Sequence, residues 1–255
     1  MNPPAAVRPR LTLIIPAWND GAQLSRLIPE LVRLKELEEL IVVDASPSLT
    51  TSEMVRAAGG IYLPAETPSR GPQMNLGAAQ ASGEVFIFHH ADSQLTDRHL
   101  QAIRSALRDP AILGGAFHRK FDDRHPCLRP LEGVARLITR YGGSFFGDQS
   151  IFVRREIFRA LGGFASFPLM EDLEFSRRLR HAGPVAVLDP PISSSSRRHH
   201  ERGAWRTTLE NFVLICLYRC GCSPTLLHRW YYSTKASRPN ETSFPAQSLE
   251  ELGGR

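Results

Sequence analysis

The four residues Val85-Phe86-Ile87-Phe88 carry no charge and no polar group, and they run directly into His89-His90-Ala91-Asp92-Ser93. An apolar run without alternation belongs to a strand covered on both faces, which is the situation in a parallel sheet with helices above and below. Two similar runs precede it: Leu11-Thr12-Leu13-Ile14-Ile15, and Leu40-Ile41-Val42-Val43 ending at Asp44. Helical patterns lie between them. Leu24, Leu27, Ile28, Leu31 and Leu34 share one helix face. Thr50 and Glu53 have the spacing of a capping box, and Gly59-Gly60 closes that short helix before Ile61-Tyr62-Leu63. Strand alternating with helix predicts a doubly wound α/β sheet with right-handed crossovers. Ligands of such sheets sit beyond the carboxyl ends of the strands, so Asp44 and Asp92 fall where a crevice is expected. A simple turn role is the plain alternative for both.

Further along, Pro72 suits the first turn of a helix reaching about Ala81, with Arg70 and Gly71 beside an N-terminus able to face an anion. Thr96 can cap a helix carrying Leu100, Ile103 and Leu107. From Gly114 the pattern is less regular, with strands expected at 116–121, 151–153 and 185–188 and a helix at 131–141. Leu169-Met170-Glu171-Asp172 opens another helix, acidic at its start and basic at its end through Arg177, Arg178, Arg180 and His181. That charge order matches the helix dipole and is by itself a sufficient reason for Asp172. An amphipathic helix is expected from Trp205 to Arg219, ending near Gly221 and Pro224. We read residues 1–10 and 236–255 as flexible ends. Residues 11–235 then form a single domain, with a first half at 11–113 and a second at 114–235.

Composition narrows the classes. The net charge of +5 and pI near 9.3 favour anions such as phosphates or a membrane surface; nucleic acid is not expected as a partner. Pro16 and Asn19-Asp20 end the first apolar run well short of a targeting or spanning segment, so a cytoplasmic protein is expected. The helix at 205–219 is too short to span a bilayer but suits peripheral contact at the inner membrane face. Cys216, Cys220 and Cys222 cluster while Cys127 is remote, a density too low for a disulfide framework and a spacing foreign to zinc sites. They are expected as buried free thiols. Pro16-Ala17-Trp18-Asn19-Asp20 contains neither glycine nor a basic residue, which argues against a triphosphate grip. The absence of G-x-G-x-x-G after the first strand argues against a dinucleotide-dependent oxidoreductase.

Four segments then occur in a telling order: Ile14-Ile15-Pro16-Ala17-Trp18-Asn19-Asp20, Val42-Val43-Asp44-Ala45-Ser46, Phe88-His89-His90-Ala91-Asp92-Ser93 and Met170-Glu171-Asp172. In order and spacing the chain resembles the family 2 glycosyltransferases over residues 11–235, and within them a bacterial subgroup with Gly147-Asp148-Gln149 and Arg197-Arg198 as further landmarks. The resemblance implies a GT-A fold: a doubly wound, mixed, mainly parallel sheet flanked by helices, with a Rossmann-like nucleotide-binding half and an acceptor half. It implies inverting transfer of a sugar from a UDP- or GDP-linked donor to an acceptor hydroxyl. Pro16, Ala17, Trp18, Asn19, Asp44, Arg70, Gln73 and Ala91 would form the nucleotide pocket. Arg197 and Arg198 would hold the diphosphate by charge-assisted hydrogen bonds. Asp92 would serve a Mn²⁺ or Mg²⁺ ion, with His199 and His200 as candidates to complete its shell. Asp172 would be the general base and Glu171 its assistant. His90 stands where many relatives carry a second acid, so one carboxylate is left at that motif. Trp18 and Trp205 are candidates for stacking on base or sugar. The rival reading is a non-catalytic binder of nucleotide sugars or anionic lipids with the same fold.

Overall fold

The computed structural model describes residues 8–46, 49–121, 142–194 and 204–233, with single positions 133, 136, 137 and 139 between them. Strands β1 (Leu11–Ala17), β2 (Glu39–Asp44), β3 (Ile61–Pro64) and β4 (Val85–Phe88) alternate with helices α1 (Gly21–Leu31), α2 (Thr50–Ala57) and α3 (Arg70–Gln80). There follow β5 (Ser93–Gln94), α4 (Asp97–Ala106), β6 (Gly114–Phe121), β7 (Ile151–Arg154), α5 (Arg155–Ala160), α6 (Glu171–Ala182), β8 (Val185–Ser194), α7 (Ala204–Arg219) and α8 (Pro224–Ser233). The strands form one sheet in the order β3-β2-β1-β4-β7-β6-β8-β5. The first four are mutually parallel, and β7 and β5 run against their neighbours. The sheet is therefore the doubly wound, mixed and mainly parallel one expected.

The pleat sends alternate side chains to opposite faces, and each face has its own core. Leu11, Leu13, Ile15, Val42, Val85 and Ile87 pack under Leu24 and Ile28 of α1, Val55 of α2, and Leu100 and Ile103 of α4. Ile14, Ile41, Val43, Phe86 and Phe88 pack on the other face against Met74 and Ala78 of α3, Phe158 of α5, and Phe175 and Leu179 of α6. Sharing that face brings α3 and α6 together, and their N-termini converge at the open end of the sheet. Register sets the depth of that end. Ala17 pairs with Asp44, whereas β4 ends level with Ile14, so the chain from His89 to Asp92 continues beyond it along the sheet mouth.

Several local expectations are revised. Helix α2 starts after Leu49 with no side-chain cap, so Thr50 is its first residue and no capping box forms with Glu53. At α4 the expected cap Thr96 is in place, and it forms a capping box with His99. Strand β8 continues through Pro190-Pro191 to Ser194. A register shift opposite Phe117 and Arg119 takes up Asp189 to Pro191, because a bulge spares prolines the ladder bonds they cannot donate. Helix α8 was not anticipated, although Pro224 at its first position is the signal of a helix start. In α7, Leu214 is buried while Leu209 and Phe212 are exposed, so the apolar residues circle the helix instead of forming one stripe. Together with Leu227 of α8, Leu214 packs on Met170 and Leu173 at the start of α6. Among the described cysteines, Cys220 is exposed and Cys216 and Cys222 are half-buried, so they are free thiols but not core ones. No described helix is long and apolar enough to cross a membrane. The predicted helix at 131–141, and Cys127, fall largely or wholly outside the described residues.

Candidate active site

Asp44 ends β2 and is almost fully buried. Its Oδ1 accepts from the Ser46 amide at 2.8 Å, while Oδ2 is buried with no hydrogen-bond partner. A buried carboxylate oxygen left unpaired is costly, and a ligand hydroxyl or amide would satisfy it. Across from it, Asn19 takes a positive φ of 56° and its amide donates to Ser46 Oγ at 2.6 Å, tying the loop after β1 to the loop after β2. Trp18 is half-buried, and its amide donates to Asp20 Oδ2 at 3.1 Å. Pro16 and Ala17 are buried strand residues. The Gln73 amide nitrogen donates to the carbonyls of Ala17 and Val43, both at 2.8 Å, so Gln73 clamps the ends of β1 and β2 while its Oε1 remains buried and unpartnered.

Arg70 opens α3 and lies at the electrostatic centre. Its guanidinium favours the ionised forms of Asp20, Asp148, Glu171 and Asp172 and disfavours the protonated form of His90. Asp92 and Asp44 in turn raise Asp20, behind the larger effect of its burial. The mouth of β1, the loop after β4, the turn at Gly147–Gln149 and the start of α6 therefore share one field. Glycines permit the close approach. A Cβ on Gly71 would meet the Ala165 carbonyl oxygen at 2.6 Å, and one on Gly147 would overlap the imidazole of His90.

Asp92 is exposed, and Ser93 Oγ donates weakly to its Oδ1 at 3.5 Å; Ala91 beside it is buried. His89 is fully buried. Its Nδ1 meets Ser150 Oγ at 2.7 Å and its Nε2 meets the Ser93 carbonyl at 3.0 Å, so Nε2 carries the proton of the neutral ring. Burial holds both His89 and His90 down to about 4. Among the described residues no three His, Cys, Asp or Glu side chains cluster as a metal site. An exposed carboxylate is nevertheless a suitable hard donor for an ion that takes its remaining ligands from phosphate and water.

Glu171 and Asp172 begin α6, behind Met170 with a positive φ of 70°. Asp172 Oδ2 accepts from the Gly147 amide at 2.7 Å and Oδ1 from its neighbour Leu173 at 2.8 Å. A narrow crevice lined by Met74, Phe88, His90, Gly147, Ile151, Phe164, Glu171 and Asp172 lies here. Burial raises both acids. For Glu171 the Asp172 charge adds to burial and Arg70 opposes it, leaving it pushed up to about 7. A carboxyl whose folded value exceeds its unfolded value near 4.5 contributes stability that is complete below pH 4.5 and lost as pH rises through about 7. We expect the wild-type Tm to fall between about pH 5 and about pH 8, and Glu171→Gln to flatten that slope; parallel profiles would refute the assignment.

Asp20 and Asp148 were not among the expected site residues. Asp148 accepts from Arg119 at 2.8 Å, which holds it below the usual carboxylate range despite burial, and its Oδ1 is buried and unpartnered. The positive φ values at Asn19, Ser150 and Met170, unusual for residues with side chains, flank these segments, but no sequence pattern announces them. Arg197, Arg198, His199 and His200 lie outside the described residues, as does the side chain of Trp205.

A model of the glycosyl transferase family 2 matches residues 12–162, which is more than half of the chain and includes β1, β2, β4 and the Gly147–Gln149 turn. The chain belongs to the family 2 glycosyltransferases. Among solved structures, the Pyrobaculum calidifontis mannosyltransferase PcManGT, in complex with GDP-Man and Mn²⁺, is similar with a TM-score of 0.62 and 19% identity, over 93% of this chain and 78% of that one. TarS 1-349 of S. aureus, in complex with UDP-GlcNAc, is similar with a TM-score of 0.58 and 19% identity, over 73% of this chain and 58% of that one. This glycosyltransferase thus spans less than two thirds of that TarS fragment. At such identities the likeness speaks for the fold, which is GT-A. No curated protein matches the chain.

Proposed function

We propose that this glycosyltransferase moves a sugar, with inversion, from a UDP- or GDP-linked donor to an acceptor hydroxyl. The observation that carries the proposal is the single guanidinium of Arg70 acting on acids from three separate parts of the chain, Asp20, Asp148 and the Glu171-Asp172 pair. A cationic group among carboxylates at the mouth of a parallel sheet suits a diphosphate leaving from a site that must also contain a base.

In this reading Asp44 receives the nucleoside through its unpaired Oδ2, and Pro16, Ala17, Trp18, Asn19 and Ala91 wall the pocket. Gln73 acts by keeping the two strand ends in place. Arg70, with Arg197 and Arg198, binds the diphosphate by charge-assisted hydrogen bonds. Asp92, together with His199 or His200, would hold Mn²⁺ or Mg²⁺, which when bound offsets the charge of the departing diphosphate. Asp172 takes the proton of the acceptor hydroxyl. The acceptor oxygen bonds to the anomeric carbon as the bond from that carbon to the diphosphate oxygen breaks, and both electrons of the broken bond leave with the nucleoside diphosphate. The Gly147 and Leu173 amides orient Asp172, and Glu171 beside it assists. PcManGT with GDP-Man and Mn²⁺, and TarS with UDP-GlcNAc, support this choice of donor class and ion.

A thermal-shift panel of UDP- and GDP-sugars, with Mn²⁺ or with chelator, tests the donor site. One nucleotide class at about 100 times its Kd should raise Tm by about 5–10 °C, and both chelator and Asp92→Ala should reduce that shift. Equal shifts for every nucleotide, indifferent to chelator, would remove the proposal.

A further inference from the structure

A second pocket, of about 350 Å³, opens one turn along α6 from Asp172. Leu173, Ser176, Arg177 and Arg180 line it from one helix face, and Tyr218 and Arg219 line it from the end of α7. Gly142 and Ser144 close it, on the same loop whose Gly147 amide holds Asp172. Its size is that of a small-molecule site. Among the described residues no carboxylate lines it. The nearest acid on this helix, Glu174, is taken by Arg178 through hydrogen bonds of 2.7 and 2.5 Å and lies 3.9 Å from Arg177. Arg180 is pinned by stacking 4.2 Å from the Phe145 ring centre and by donating to the Thr139 carbonyl at 2.7 Å, yet its Nε is buried with no hydrogen-bond partner. Arg219 forms no ion pair among the described residues. Arg177, Arg180 and Arg219 share the lining, and beyond the 3.9 Å contact of Arg177 with Glu174 they have no carboxylate partner among the described residues, so an oxyanion in the pocket would offset their mutual repulsion.

We propose that this pocket receives the oxyanion of an acidic acceptor, a phosphate or carboxylate, and so selects which hydroxyl reaches Asp172. This rests on the reading of Asp172 as the base. With about 1.5 Å of rise per residue, Arg177 and Arg180 lie roughly 8–12 Å along the axis from Asp172, about the span of one sugar ring bearing a charged group at its far side. Tyr218 lines the same pocket, and its phenol is held up by burial first and then by the charges of Glu174 and Asp172, which ties the pocket to the acid end of α6.

Calorimetry with glucose 6-phosphate, glucuronate and glucose, on wild type and on the double variant Arg177→Gln/Arg219→Gln, tests this directly. Wild type should bind at least one of the acids about tenfold or more tighter than glucose, and the double variant should lose that preference. Which acid is preferred separates phosphate from carboxylate. Both substituted positions are at the surface, and an unchanged Tm with an unchanged nucleotide shift shows that the fold is intact. Equal binding of acids and glucose, or acids held equally well by the variant, overturns the inference. Sugar transfer to neutral acceptors alone also overturns it while leaving the proposed function standing. Acid binding through these arginines with no transfer to any acceptor has the reverse meaning, supporting the pocket and removing the proposed function.

Discussion

Asp172→Asn is expected to lower kcat for sugar transfer by about 10²–10⁴-fold, the range that a positioned general base contributes. Asparagine keeps the shape and one acceptor oxygen, so it can still take the Leu173 or the Gly147 amide, but it cannot remove a proton. Donor affinity should change little, because the nucleoside contacts proposed here lie at Asp44 and the loop after β1. Initial rates at saturating donor, beside the nucleotide thermal shift, separate the two effects. A variant retaining kcat within a few-fold would transfer the role of base to Glu171, the other acid lining the same crevice. A protein that only binds nucleotide sugars would have no transfer to lose.

Phe175→Ala should produce the largest stability effect, about 3–5 kcal/mol, or a fall in Tm of roughly 6–20 °C. Phe175 is fully buried, with ring centres at 4.5 Å from Phe164 and 5.5 Å from Phe158. Phe88 of β4 lies 4.7 Å from Phe164 and 5.1 Å from Phe158, so the aromatic group joins the central strand to α6. Removing one member leaves a cavity beneath the turn that carries Glu171 and Asp172, so activity should fall along with stability. Leu209→Ala, at an exposed position of α7, serves as the control and should change Tm by less than about 2 °C. A similar Tm for both variants would show that the aromatic group does not hold α6.

The parts of this protein that were legible in its sequence are those governed by neighbours along the chain. The buried strands at Leu11, Leu40 and Val85 are uncharged because both sheet faces are covered, and Leu24, Leu27, Ile28 and Leu31 mark α1 because a helix places them on one side. Asp44 and Asp92 could be put at the sheet mouth from their position after such strands. Asp20 and Asp148 could not, since their significance comes from Arg70 and Arg119, which are remote in sequence and near in space. Strand β8 was cut short for a related reason: Pro190-Pro191 reads locally as a break, and only its pairing with β6 supplies the bulge that accommodates it.

By itself the sequence determined the buried strands and the one-sided helices of the first half, and the order in which acids follow them, because hydrophobic periodicity and turn chemistry act over a few residues. Tertiary structure alone decided that α3 and α6 share one face of the sheet, and hence that Arg70 meets Glu171 and Asp172. It also decided that Arg177 and Arg180 of α6 line a pocket with Tyr218 and Arg219 of α7 beside them. Those outcomes depend on which sheet face each helix covers and on how closely Gly71 and Gly147 let segments approach, and packing between distant segments has no local signature.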